Sequence, residues 1–317
     1  MDMQLMFKER SPEYFVLDFE GFREEVIEEL LEVCGNEFLV EKRDVMKNNG
    51  VTLSGISITG PGETVFPTIY LEALFDEYRK GKMNIKEIVN EILRIYTKEK
   101  NVCGVNMSYL TDFDSVREKL IYRLINAEKN ESLLKDIPHR RFLDLAVIYT
   151  VYIDDVFNSA GNVTVRNDLM EKWGVDEEEL YILATRNTPR IKKPVIKELG
   201  EMLAELMDTG ECRDSAEDIF GEGMVKMFVL TNCDRYYGDS IILYPGLLKD
   251  LRDMMKTDLY LLPSSVHEFI IVPASGGIGS SELSDLVKSV NESSVVAEDF
   301  LSDNIYLYKN DTLDICS

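Results

Sequence analysis

Leu261-Leu262-Pro263-Ser264-Ser265-Val266-His267-Glu268-Phe269-Ile270-Ile271-Val272-Pro273 carries one of the two histidines of the chain between two apolar runs. Short apolar runs rich in β-branched and aromatic residues, bounded by proline and serine, read as buried strands joined by a turn. The expected strands are Leu259–Leu262 and Glu268–Val272. Side chains alternate faces along a strand, so His267 and Glu268 diverge, while Ser265 shares a face with His267 at about 7 Å. That spacing is too long for the direct hydrogen bond a Ser–His pair needs. The pairing of two such strands across a short turn is antiparallel.

Working outward, the last hundred residues continue in this way. Strands are expected at Val225–Leu230, Ile241–Tyr244 and Ile305–Tyr308, with helices at Leu247–Met255 and Glu282–Val290. The middle of the chain carries an apolar run, Phe142–Ile153, expected as one buried strand, and a strand around Ile121–Ile125. Asn158–Asn162 reads as a turn, Phe113–Leu120 as a helix and Val195–Met207 as a long helix. Asp176 opens another helix by accepting its free N-terminal amides. Residues 210–223 are acidic and weakly patterned, as in an exposed loop. Toward the N-terminus, Phe22, Val26, Leu30 and Val33 recur at helical spacing. Asn49-Gly50 supplies the positive φ angles of a tight hairpin between Glu37–Met46 and Val51–Ile58. Helices Glu72–Arg79 and Ile85–Lys98 follow. The expected class is α+β: a mainly antiparallel sheet with helices on one face, preceded by a smaller helix–hairpin–helix region. The expected domains are residues 1–104 and 105–317.

The 317 residues suit one large domain or two ordinary ones. No run reaches the ~20 apolar residues that span a bilayer. Met1–Arg10 lacks a basic region followed by an apolar one, so no secretory signal is expected and the cytoplasm is the default. Five widely spaced cysteines without a CxxC pair read as reduced thiols, and no metal site or cofactor is expected. The net charge is −23, and residues 201–317 hold 8 basic against 22 acidic residues. Nucleic acids and anionic membranes are therefore disfavoured partners. An acidic face suits a basic partner.

Several stretches could carry chemistry. His267 with Ser264 or Ser265 invites a hydrolase reading, which a bend at Pro263-Ser264 would have to make possible. His139, Arg140 and Arg141 could hold an anion, since guanidinium forks carboxylate or phosphate; in so acidic a chain, pairing of the arginines with Asp or Glu is the leading expectation. Gly276-Gly277-Ile278-Gly279 has the layout of a phosphate-binding loop but neither the P-loop Lys-Ser/Thr nor GxGxxG. Cys233 stands beside Arg235, which would lower its pKa, and Asp234, which opposes that.

Tyr122–Asn126, Pro138–Ala146, Val229–Asn232, Tyr237-Gly238, Leu243–Gly246, Leu262–Glu268 and Leu301-Ser302-Asp303 with Tyr306 and Tyr308 together resemble an uncharacterised bacterial family of unknown function, found mainly in anaerobic gut bacteria. The resemblance spans most of the chain and brings no activity, cofactor or catalytic residue with it. Both histidines fall inside the matching segments. The leading expectation is a non-enzymatic cytoplasmic protein that binds a protein or small-molecule partner. The rival is a hydrolase-like enzyme centred on His267 with Ser264, Ser265 or Cys233. A third class is a structural or immunity-like interaction protein.

Overall fold

The computed structural model describes residues 16–35, 37–60, 68–100, 107–156, 159–206 and 226–316. The chain divides into two units: Met1–Met46 with Thr52–Val105, and Lys47–Val51 with Asn106–Ser317. Its elements are helices interleaved with strands that pair only antiparallel among the described residues, the α+β class.

In the first unit, α1 (Phe19–Cys34) starts where the Asp18 carboxylate accepts the Gly21 N–H at 2.8 Å. It ends at Gly35, whose φ of 78° admits no side chain without strain. Its buried face is Phe22, Val26 and Leu30. Strands β1 (Leu39–Met46), β2 (Thr52–Thr59) and β3 (Thr68–Tyr70) form a three-stranded antiparallel sheet. Helices α2 (Glu72–Arg79) and α3 (Ile85–Lys100) complete the unit. Ile56, Ile58, Ile88 and Ile92 close the core over Phe22.

The second unit holds α4 (Phe113–Val116), β4 (Leu120–Asn126), α5 (Glu131–Leu134), β5 (His139–Phe142), β6 (Leu145–Val156) and β7 (Ser159–Thr164). Strand β6 pairs with β4 along one edge, and with β5 and then β7 along the other. Next come α6 (Asn167–Trp173), α7 (Glu177–Ile191), β8 (Pro194–Glu198), α8 (Leu199–Leu206), β9 (Phe228–Asn232) and α9 (Leu247–Met255). The chain ends with β10 (Leu259–Ser265), β11 (Glu268–Pro273), α10 (Ser280–Ser294), β12 (Ile305–Lys309) and β13 (Thr312–Cys316). The six-stranded sheet has the order β13-β12-β10-β11-β9-β8, all antiparallel.

Strand alternation explains the packing of this sheet. Leu259, Leu261, Phe269 and Ile271 enter the main core, shared with Tyr122, Tyr149 and Leu180. Leu262 and Val272 point the other way, onto Leu283 and Val287 of α10. Each such fully buried Leu or Phe contributes roughly 1.5–3 kcal/mol.

Several segments depart from the sequence expectation. The run Phe142–Ile153 is two strands, because Leu143 takes a φ of 54° and turns the chain between Phe142 and Leu145. In the stretch Ile241–Tyr244, Ile241–Leu243 belong to a 3-10 turn, Asp239–Leu243, that Tyr244 closes; a short apolar run does not itself distinguish strand from turn. Within Val195–Met207, the first residues form β8 paired to β9, and the helix starts only at Leu199. The expected turn at Asn158–Asn162 is strand β7 from Ser159 onward. The helix after Phe113 closes at Val116 and tightens to a 3-10 turn. Helix α10 starts at Ser280, earlier than the expected Glu282, and is capped at Gly279, whose N–H donates to Glu282 at 3.3 Å. Residues 210–223 lie outside the described residues.

Candidate functional site

The β10–β11 turn presents His267. Ser265 Oγ accepts the His267 backbone N–H at 3.0 Å, and the register shifts between Pro263 and Ser265 to make room for the turn. A second loop, residues 233–238, is organised by the buried Asn232. Its Oδ1 accepts the Asp234 N–H at 2.9 Å, and its Nδ2 donates to the carbonyls of Tyr236 and Tyr237 at 3.0 and 3.1 Å. Arg235 and Tyr237 sit at φ of 53° and 52°, a region L-residues avoid.

The two loops are stitched together. The His267 carbonyl accepts the Gly238 N–H at 3.1 Å and the Thr231 hydroxyl at 2.8 Å. Asp239 N–H donates to Val266 O, and Val266 N–H donates to Asp299 O. Position 238 admits only glycine, since a Cβ there would overlap His267 O and fall 2.7 Å from Thr231 Oγ1.

This frame fixes the imidazole at both nitrogens. Nδ1 accepts the Tyr237 backbone N–H at 3.1 Å, which places the ring proton on Nε2. Nε2 lies 3.4 Å from Asp299 Oδ1. Tyr236 stacks on the ring at 5.1 Å between centroids and stays 45% exposed. The Tyr237 ring is 4.0 Å from that of Tyr236. Burial, then a hydrogen bond with Tyr237, pushes the Tyr236 phenol pKa up. The guanidinium of Arg123, from β4, lies 3.2 Å from the Tyr237 ring centroid. Behind it the fully buried Asp239 accepts the Leu124 N–H at 2.9 Å and faces Arg123 Nε at 3.7 Å. Burial pushes the Asp239 carboxyl up to about 6, against the opposing pull of Arg123.

The residues singled out in the sequence are distributed as follows. His267 is at the centre. Ser265 bonds to backbone, and Ser264 Oγ donates to Glu268 at 3.4 Å, so neither hydroxyl bonds the imidazole. Cys233 is exposed and its Sγ donates to Asp234 at 3.3 Å. Burial, then the Asp234 carboxylate, pushes its thiol up, away from the reactive thiolate. His139, Arg140 and Arg141 lie on β5 in the other sheet. His139 Nδ1 bonds the Ile137 carbonyl at 3.1 Å. Arg140 grips Glu177 and Glu178 and covers the Tyr181 ring at 4.0 Å, so its charge is matched internally. Arg141 is exposed.

Arg123, Asp239 and Asp299 escaped the sequence reading. A lone arginine inside Leu120-Ile121-Tyr122-Arg123-Leu124-Ile125 is a signal that could have found the first, because a buried charge needs a partner. Asp299 carries no such signal. Among the described residues, no group of three or more His, Cys, Asp or Glu side chains could hold a metal ion, and no helix is long and apolar enough to cross a membrane.

A model of the family of unknown function DUF5688 matches residues 19–310, and the chain belongs to that family. No curated protein and no solved structure matches it.

Proposed function

We propose that this DUF5688 member acts by binding, without catalysis, and that its contact surface is the face of the second unit around Tyr236. One observation carries the reading: both nitrogens of His267 are engaged, so the imidazole backs Tyr236 and has no free nitrogen to take a proton from a nucleophile. The directions of Ser264 and Ser265 and the raised thiol of Cys233 support the same reading over a hydrolase. A half-exposed tyrosine on a rigid support supplies apolar area with a polar tip at little entropic cost, as interface anchors do. Asp299, about a third exposed, flanks it, and the chain carries a net charge of −23. The partner class that fits is a basic protein segment, drawn in by electrostatic steering. Free cysteines among the described residues, Cys34, Cys233 and Cys316, support work in a reducing, cytoplasmic setting.

The test is affinity capture with the full chain against its Tyr236→Ala variant. Proteins held by the first at low salt, released at high salt and missing from the second support the proposal. Identical captures by both overturn it.

A further inference from the structure

We infer that protonation of His267 releases the 233–238 loop, so that the Tyr236 surface is assembled while the imidazole is neutral and loosened when it is charged. The inference rests on the reading of Tyr236 as the contact surface, and it names the regulation of that surface.

The geometry of the ring leads to it. Nε2 carries the proton of the neutral ring, toward Asp299, so a second proton can enter only at Nδ1. Nδ1 is where the Tyr237 N–H donates. Once protonated, the ring presents a donor to a donor, and the amide loses its acceptor. This amide belongs to a residue at φ 52°, two positions from another at φ 53°. Such backbone persists only where its contacts over-determine it.

The groups facing the imidazole set the direction. Asp299 offers a charged ring its counter-charge. Tyr236 and Tyr237 cover it from the loop. Glu268 follows it in β11 and is engaged by Ser264. Arg123 lies beyond Tyr237 and is held by Asp239. The bonds from Asn232 to the carbonyls of Tyr236 and Tyr237, and from Gly238 to His267 O, involve no titrating group. Release is therefore confined to the Tyr237 amide and the two tyrosine rings, while the carbonyls of Tyr236 and Tyr237 and the Gly238 end stay anchored.

Hydrogen exchange of the Tyr237 amide at about pH 5 and about pH 7.5 tests this. After correction for intrinsic exchange, protection in the wild-type chain falls on the order of tenfold at the acid pH, the effect of one lost hydrogen bond. His267→Asn sets an amide oxygen near the place of Nδ1, accepts without titrating, and keeps its protection at both values. Equal wild-type protection at the two pH values, or the same loss in His267→Asn, overturns the inference. If that variant does not fold, NMR titration of the wild type decides. The Tyr237 amide shift must follow the His267 ring carbons, and an amide that does not move with them refutes the gate. No partner enters these measurements, so their failure is separate from failure of the capture experiment.

Discussion

Asp239 Oδ2 lies 3.7 Å from Arg123 Nε, and neither buried atom has a hydrogen-bond partner among the described residues. The pair is held close by its surroundings but is not fully satisfied. Such an arrangement makes stability depend on the protonation of Asp239. Its folded pKa, about 6, lies above the ordinary 3.8, so between these values the folded chain binds more protons than the unfolded one. The contribution of this group is therefore greatest below about pH 4 and is lost as pH rises through 6. Relative to Asp239→Asn, the wild-type chain should lose on the order of 3 kcal/mol between pH 4 and pH 7. Urea unfolding of both chains across that range measures the difference.

Gly238→Ala should be severely destabilising. The added methyl meets the His267 carbonyl, a backbone atom that cannot rotate away, and the Thr231 hydroxyl. Overpacking costs about 1–3 kcal/mol even where side chains can yield. A loss above about 2 kcal/mol is expected in chemical denaturation.

Lys192 and Asp234 should respond unequally. Lys192 has a side chain only 3% exposed and bonds Asp234, which is 35% exposed. Removing the carboxylate by Asp234→Asn strands a buried ammonium, at about 3–5 kcal/mol by analogy with broken buried pairs. Lys192→Met leaves the carboxylate to water and fills the same space with apolar atoms. Thermal melts should rank Lys192→Met well above Asp234→Asn.

Asp144 gathers donors from a distant part of the chain: Tyr306 OH at 2.8 Å, Asn304 Nδ2 at 3.0 Å and Ser302 Oγ at 2.5 Å. Asp144→Ala strands the phenol of the fully buried Tyr306 and should cost about 1–3 kcal/mol. Tyr306→Phe removes that donor along with its demand, and should cost less. The order of the two, read from denaturant midpoints, checks the assignment.

Tyr236→Ala should leave the fold in place, with a stability change within about 1 kcal/mol, because a half-exposed ring loses only its stacking on His267 and Tyr237 and its hydrogen bond with Tyr237. Circular dichroism and a melt of the variant used for capture establish this.

Local signals were sufficient for much of the fold. Helix α2 runs over Glu72–Arg79 and α9 over Leu247–Met255, as their periodicity indicates. The β10–β11 pair is read directly from its apolar runs. The failures share a cause, in that tertiary contacts chose a conformation to which local preference was indifferent. Leu143 turns left-handed although nothing in its residue type favours it, because Asp144 is held by Ser302, Asn304 and Tyr306. Strand β13 was missed although Asn310-Asp311, both at positive φ, forms the tight turn that announces a hairpin.

The sequence by itself determined the α+β class, the strand pair around His267 and the acidic character of the chain, because alternation and charge are local properties. Strand alternation alone set Ser265 and His267 on one face about 7 Å apart, with a bend left open; the chain instead turns at Val266-His267, and Ser265 Oγ accepts the His267 backbone N–H. Only the tertiary structure decided what His267 meets. Tyr237 and Asp299 meet the ring and Arg123 backs Tyr237; the three come from separate segments, and their approach depends on the packing of two sheets, a relation that no spacing in the chain encodes.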